Sequence, residues 1–195
     1  MGTSSRSIIA ASIALATIML ASCGSDSTAE DASAPVVSTA APRLEAVDGV
    51  EFSDPEGDYT ITIGSEWVPS PVGAVEDGVE SWVVAPPGTD FSANVNVLTQ
   101  STEGLDLVEY LELSVENTGT FEVIEQTTLT GENGNELGRF EFAGPVEGTD
   151  LDLHFLAIVD VTDGMAVLAT LSTLEADFDA LRANVEPFML TLQAE

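Results

Sequence analysis

Lysine is absent from this 195-residue chain, and its only cations are Arg6, Arg43, Arg139 and Arg182, set against 34 acidic residues. The formal net charge is −30. Nucleic-acid binding needs a basic footprint to displace counterions, so no nucleic-acid partner is expected. Direct adsorption onto an anionic bilayer is disfavoured for the same reason. Histidine occurs once, at His154, and cysteine once, at Cys23. A single histidine excludes a multi-histidine metal cluster. It also leaves any nucleophile one possible base, and no G-x-S-x-G elbow accompanies the serines. A single cysteine excludes internal disulfides, so stability must come from an ordinary core. Long apolar runs are scarce as well. The run Ile8–Leu20 holds about 13 residues, short of the roughly 20 that span a bilayer as a helix.

That run follows Arg6 and ends in small residues before Cys23, the layout of an export signal. The tetrapeptide Leu20-Ala21-Ser22-Cys23 resembles the lipobox of bacterial lipoproteins. The resemblance implies that residues 1–22 are a lipoprotein signal peptide, that the Cys23 sulfur receives a diacylglyceryl group, and that cleavage leaves Cys23 as the first residue. One acyl chain binds a membrane only marginally, whereas two anchor it stably. The expected place is then the outer face of the cytoplasmic membrane, with the bilayer as a partner through the anchor. An ordinary secretory signal with an incidental cysteine is the alternative. A catalytic Cys23 is disfavoured, since no histidine stands near it.

Residues 23–47 comprise the lipidated cysteine and a stretch rich in Ser, Ala, Pro and acidic residues, without apolar periodicity. Such a segment cannot bury enough surface to offset its chain entropy and reads as a disordered tether. As a flexible coil, residues 24–47 reach about 27 Å r.m.s.. Fully extended, they reach roughly 80 Å. The acids are spread through the chain in ones and twos, which suits a solvated surface in a salty medium. An acidic patch that recruits a basic partner or cations is the sharper alternative.

Residues 48–195 are enough for one domain with a sizeable core. Tyr59, Ile61 and Ile63 alternate along one strand face, and Val79–Val84 and Asn94–Leu98 read as further strands. In the stretch LDLVEYLELSVENTG, Asp106 and Glu109 have capping-box spacing, with Leu107, Val108, Leu111 and Val115 as the predicted apolar stripe and Gly119 past the end. Four strands follow, Phe121–Thr130, Leu137–Phe142, Leu151–Val159 and Met165–Ser172, joined by turn chemistry that predicts an antiparallel meander. A last helix is predicted from the capping-box spacing at Ser172-Thr173-Leu174-Glu175. Phe178, Leu181 and Val185 form its stripe, and Pro187 breaks or kinks it before Phe188-Met189-Leu190. This order predicts an α+β domain, helices packed on a mainly antiparallel sheet.

Several residues in this order resemble a family. Asp58-Tyr59-x-Ile61-x-Ile63 followed by Trp67 is similar to the opening of the Mog1/PsbP-like superfamily, Asn94-Val95-Asn96-Val97 to its next strand, and Leu107-Val108-Glu109-Tyr110 to its L-x-E-Y helix. Gly64-Ser65-Glu66 stand where that opening has a proline ahead of the tryptophan. With the lipobox and acidic linker, the chain most resembles the actinobacterial LpqN-type lipoproteins. The resemblance implies an α/β/α sandwich that binds or scaffolds partners, with no shared catalytic motif.

For chemistry the candidates are few. Period two places Asp150, Asp152 and His154 on one strand face. Two carboxylates and an imidazole could hold a divalent cation, but same-face neighbours stand nearly 7 Å apart, so a solvated face with His154 loosely paired to an acid is the plainer reading. Trp67, in the predicted loop SEWVPSP, and Trp82 are either core residues or a stacking platform for a sugar or peptide. Acidic pairs such as Glu76-Asp77 could do glycosidase work, although with 34 acids some pairs arise by chance. Asp54–Asp58 and Asp160–Gly164 resemble pieces of calcium loops but lack the full ligand series, and read as turns. No catalytic residue and no cofactor is expected. The expected function is a non-catalytic binding or scaffolding module at the cell envelope, whose partner is an envelope protein or small ligand. The alternatives are an envelope hydrolase using acidic residues and a cation-binding protein.

Overall fold

The computed structural model describes residues 49–69, 79–84 and 93–195, with side chains at 49–68 and 93–195. Its elements run β1 (Gly49–Ser53), β2 (Tyr59–Gly64), β3 (Trp67–Pro69), β4 (Val79–Val84), β5 (Asn94–Ser101), α1 (Leu107–Glu116), β6 (Glu122–Thr130), β7 (Glu136–Pro145), β8 (Asp152–Thr162), β9 (Met165–Leu174), a single 3-10 turn (Glu175–Asp177), α2 (Phe178–Met189) and β10 (Gln193–Ala194). Seven strands form one antiparallel sheet in the order β3-β4-β5-β9-β8-β7-β6, and β1-β2-β10 form a second, smaller one.

The predicted meander is present, β6 through β9 pairing in succession. Strands β8 and β9 are near-continuous apolar runs because the large sheet is covered on both faces. Leu156 and Ile158 of β8 pack on one side with Val185 and Met189 of α2 and Ile61 of β2. Leu153, Phe155, Ala157 and Val159 pack on the other with Leu107, Tyr110 and Leu111 of α1. The layers are therefore α1, the large sheet, and then α2 beside the small sheet.

Local chemistry explains the joints. Asp106 caps α1 as predicted, its Oδ1 accepting from Glu109 N at 3.0 Å while Glu109 Oε2 accepts from Asp106 N at 3.2 Å. The buried stripe of α1 differs from the prediction at two positions: Val108 is 51% exposed and Val115 half-buried, while Tyr110 (3% exposed) and Ser114 are buried. Tyr110 reaches inward because its hydroxyl bonds Gln100 of β5. The β8–β9 hairpin turns on Asp163 and Gly164, both with positive φ (51° and 83°), the primed two-residue turn that matches strand twist. Asp160 is buried in β8 and accepts from Asn135 Nδ2 at 2.6 Å and from Ala194 N at 3.1 Å, tying β10 to the large sheet. In the β1–β2 turn, Asp54 Oδ2 accepts from the backbone of Glu56 and Asp58. The first calcium-loop look-alike is thus a turn, whereas in the second Asp160–Thr162 belong to β8 and only Asp163-Gly164 turn.

The last helix begins later than predicted. Strand β9 continues through Leu174, which pairs with Leu153, so Ser172 and Thr173 are strand residues and no side chain caps α2. Pro187 lies inside the last turn of α2, which carries Phe188 and Met189 with it. The loss of one N–H there is tolerated because Leu190 N still closes on Glu186 O at 3.0 Å.

Candidate functional site

Charged side chains gather where β6, β7 and β8 meet α2. Arg139 and Glu141 sit two apart on β7 and share the α2-facing side of the sheet, and Glu125 of β6 stands directly opposite Glu141. Like charges in that position repel across a sheet. Arg139 resolves the conflict: its Nη1 meets Glu125, its Nη2 meets Glu141 Oε2 at 2.6 Å, and its Nε meets Glu186 Oε1 of α2 at 2.7 Å. Arg182, one turn before Glu186, bonds Glu186 Oε2 at 2.9 Å and approaches Glu141 Oε2 at 3.5 Å. His154 completes the group, its Nε2 lying 3.0 Å from Glu141 Oε1 and its Nδ1 2.7 Å from Glu175 Oε2. Its ring stacks on Phe178, centroids 3.4 Å apart and planes 6° apart.

Arg139, Glu141 and His154 are buried. Burial pushes the Glu141 carboxyl up, but the hydrogen bonds from His154 and Arg139 and the charges of Arg139 and Arg182 outweigh it, leaving it below the ordinary carboxylate value. Burial likewise works against the Arg139 cation, and its bond to Glu186 and the surrounding carboxylates raise it instead. The cluster engages every side chain in it with another member. It fastens the 3-10 turn and α2 to three strands.

The predicted site residues fall out differently. His154 is not on a solvated face, because α2 covers that side of β8. Asp150 and Asp152 are exposed, while both His154 nitrogens are directed at Glu141 and Glu175. Among the described residues no three His, Cys, Asp or Glu side chains are grouped to hold a metal ion. Trp67 lies in strand β3 rather than a loop and packs into the core beside Ile63 and Val95. It lines an apolar pocket between α2 and the sheet, closed on one side by the Phe188 ring, which sits where a side chain on Gly64 would be (2.5 Å from an added Cβ). The interior is about 10 Å³, the room of a single water. Trp82 is in β4, paired opposite Val95 and Pro69; its side chain lies outside the described residues, as do Cys23 and Glu76-Asp77.

Sequence reasoning missed Arg139, Glu141 and their partners. A signal was there: Arg139 and Arg182 are the only cations after residue 48, and the run Leu137-Gly138-Arg139-Phe140-Glu141-Phe142 alternates charge with aromatic inside an otherwise apolar meander.

No family model matches the sequence, and no curated protein matches it. Solved structures do match. Cyanobacterial PsbP (CyanoP) from Synechocystis sp. PCC 6803 superposes with a TM-score of 0.54 at 16% identity, covering 80% of this chain and 98% of that one. The Saccharomyces cerevisiae Ran-binding protein Mog1p gives 0.57 at 12% identity, covering 76% and 96%. LpqN, involved in cell envelope biogenesis of Mycobacterium tuberculosis, gives 0.55 at 10% identity, covering 77% and 92%. The chain thus has the Mog1/PsbP-like α+β fold, antiparallel sheets with two helices packed on them.

Proposed function

We propose that this protein is an exported lipoprotein, anchored through Cys23 at the outer face of the cytoplasmic membrane, whose domain is a non-catalytic binding or scaffolding module of the cell envelope. The observation that carries the non-catalytic reading is the charged cluster. The only histidine and both arginines of the described domain are engaged by carboxylates that hold α2 on the sheet, so the residues best suited to acid–base work serve packing. The shared fold with LpqN, whose role is in cell envelope biogenesis, supports the envelope setting. The anchor supplies local concentration, so even a weak partner affinity suffices.

Detergent phase partitioning of the full chain, expressed in a host that processes lipoproteins, tests the anchor. The wild-type protein is expected in the detergent phase and Cys23→Ala in the aqueous phase. A wild-type protein found in the aqueous phase overturns the anchored reading.

A further inference from the structure

We propose that the outer edge of the large sheet, strand β6, is a docking edge that accepts an extended, lysine- or arginine-rich segment of a partner protein as an eighth strand. The inference deepens the binding-module reading and rests on it. Among the described residues β6 pairs only with β7 and ends the strand order. It is nine residues long, and all but Val123 and Leu129 are exposed. Among the described residues the opposite edge, β3, has three.

Edges are commonly blocked by proline, lysine or a bulge. Strand β6 has neither proline nor lysine, and its one irregularity falls at Ile124, between Val123 and Glu125. Beyond it, Glu125–Thr130 keep regular register with β7. That is about the usual length of a strand, and alternate residues there turn their N–H and C=O groups outward. Thr127 and Thr128 add β-branched side chains suited to pairing, and Ile124, 46% exposed, offers an apolar contact.

Charge selects the occupant. Glu122, Glu132 and Glu136 are exposed around this edge, and the nearest cation, Arg139, is buried and held by three carboxylates. An acidic strand finds no counter-charge there. A second copy of the chain brings another net charge of −30 and is repelled at low salt. A basic strand gains backbone pairing and charge complementarity together.

The test adds a ten-residue peptide of alternating lysine and valine to the full-length protein and follows amide hydrogen exchange. Two control peptides replace lysine by glutamate, or methylate every backbone N–H while keeping the lysines. Exchange within Glu125–Thr130 is expected to slow about tenfold or more with the first peptide and to be unchanged with both controls, the effect weakening as salt rises. Equal slowing by the methylated peptide, or no slowing in β6, overturns the proposal. Self-association that strengthens with salt overturns it too, in favour of a second copy. Thr127→Pro and Thr128→Pro are made separately, because neighbouring residues direct their N–H groups to opposite sides. The variant with its N–H outward is expected to keep its circular dichroism and lose the peptide effect. An envelope extract from the native cell, passed over wild type and that variant, separates the two levels of the claim. Equal retention by both overturns the edge alone. Retention by neither overturns the binding-module reading itself. Retention by wild type only, with the peptide result, supports the edge.

Discussion

The two faces of the large sheet are fastened in different ways. The face under α1 is held by apolar packing, with Phe142 stacked on Phe155 at 4.7 Å and 11° and Phe121 meeting Phe155 edge-on at 5.2 Å. The face under α2 is apolar at its centre but ends in a charged corner, where Arg139 alone meets carboxylates from β6, β7 and α2. Apolar packing weakens in proportion to the atoms removed. A buried ion cluster fails differently, because removing one member strands the rest without their counter-charge. The charged corner is thus a specific fastening that tolerates few partial changes, while the aromatic face is a graded one.

The largest expected effect breaks the charged side. Arg139→Ala leaves Glu141 buried with only His154 and Arg182 beside it and takes the counter-charge from Glu125 and Glu186, and a loss of about 4 kcal/mol is expected in urea unfolding. The double variant Arg139→Met with Glu141→Leu is expected to lose clearly less than Arg139→Ala alone, since it removes both charges together. On the aromatic side, Phe142→Ala is expected to cost about 3 kcal/mol through lost burial and the cavity left behind. No partner is stranded there, so adding a second change at Phe155 further lowers stability rather than restoring it.

The two faces also give way at opposite ends of the pH scale. The Glu141 carboxyl is held below its usual value of 4.5 in the folded state, so its stabilisation is complete above about that pH and is lost as pH falls through the folded value. Tyr110, on the buried side of α1, is pushed up to about 12 by burial, which outweighs its hydrogen bonds to Gln100 and Ser114. Its contribution is present below the ordinary tyrosine value of 10.0 and is lost as pH rises from there toward about 12. Unfolding midpoints measured across pH are expected to lose part of the acid limb in Glu141→Gln and part of the alkaline limb in Tyr110→Phe. The smallest effect sharpens the α1 side: Asp106→Ala removes the cap and is expected to cost about 1 kcal/mol.

What the sequence disclosed follows the range of the interactions involved. The Asp106 cap, the Asp163-Gly164 hairpin and the inward row Tyr59, Ile61 and Ile63 depend on residues within a few positions of one another, and each is present as expected. Its apolar side chain predicts Val108 inside, but the bond between Tyr110 and Gln100 of β5 goes with a helix rotation that turns Val108 outward. The spacing at Ser172 mimics a capping box, yet strand pairing of Leu174 with Leu153 outcompetes it. The sequence puts His154 outside because alternation reports only that two faces exist. Which one is covered depends on Phe178, which arrives from α2 many residues later. Arg139 and Glu141 stand out in their run, but the cluster as a whole is not legible for the same reason, since its members come from four separate elements and a 3-10 turn.

If the charged corner holds α2 to the sheet, Arg139 and Glu186 are energetically coupled, and a double-mutant cycle on the two reads that coupling. The pair joins β7 to α2 at 2.7 Å. Unfolding free energies for wild type, Arg139→Ala, Glu186→Ala and the double variant are predicted to show a coupling of about 1 kcal/mol or more. A coupling indistinguishable from zero would mean that the charged corner does not hold α2 to the sheet.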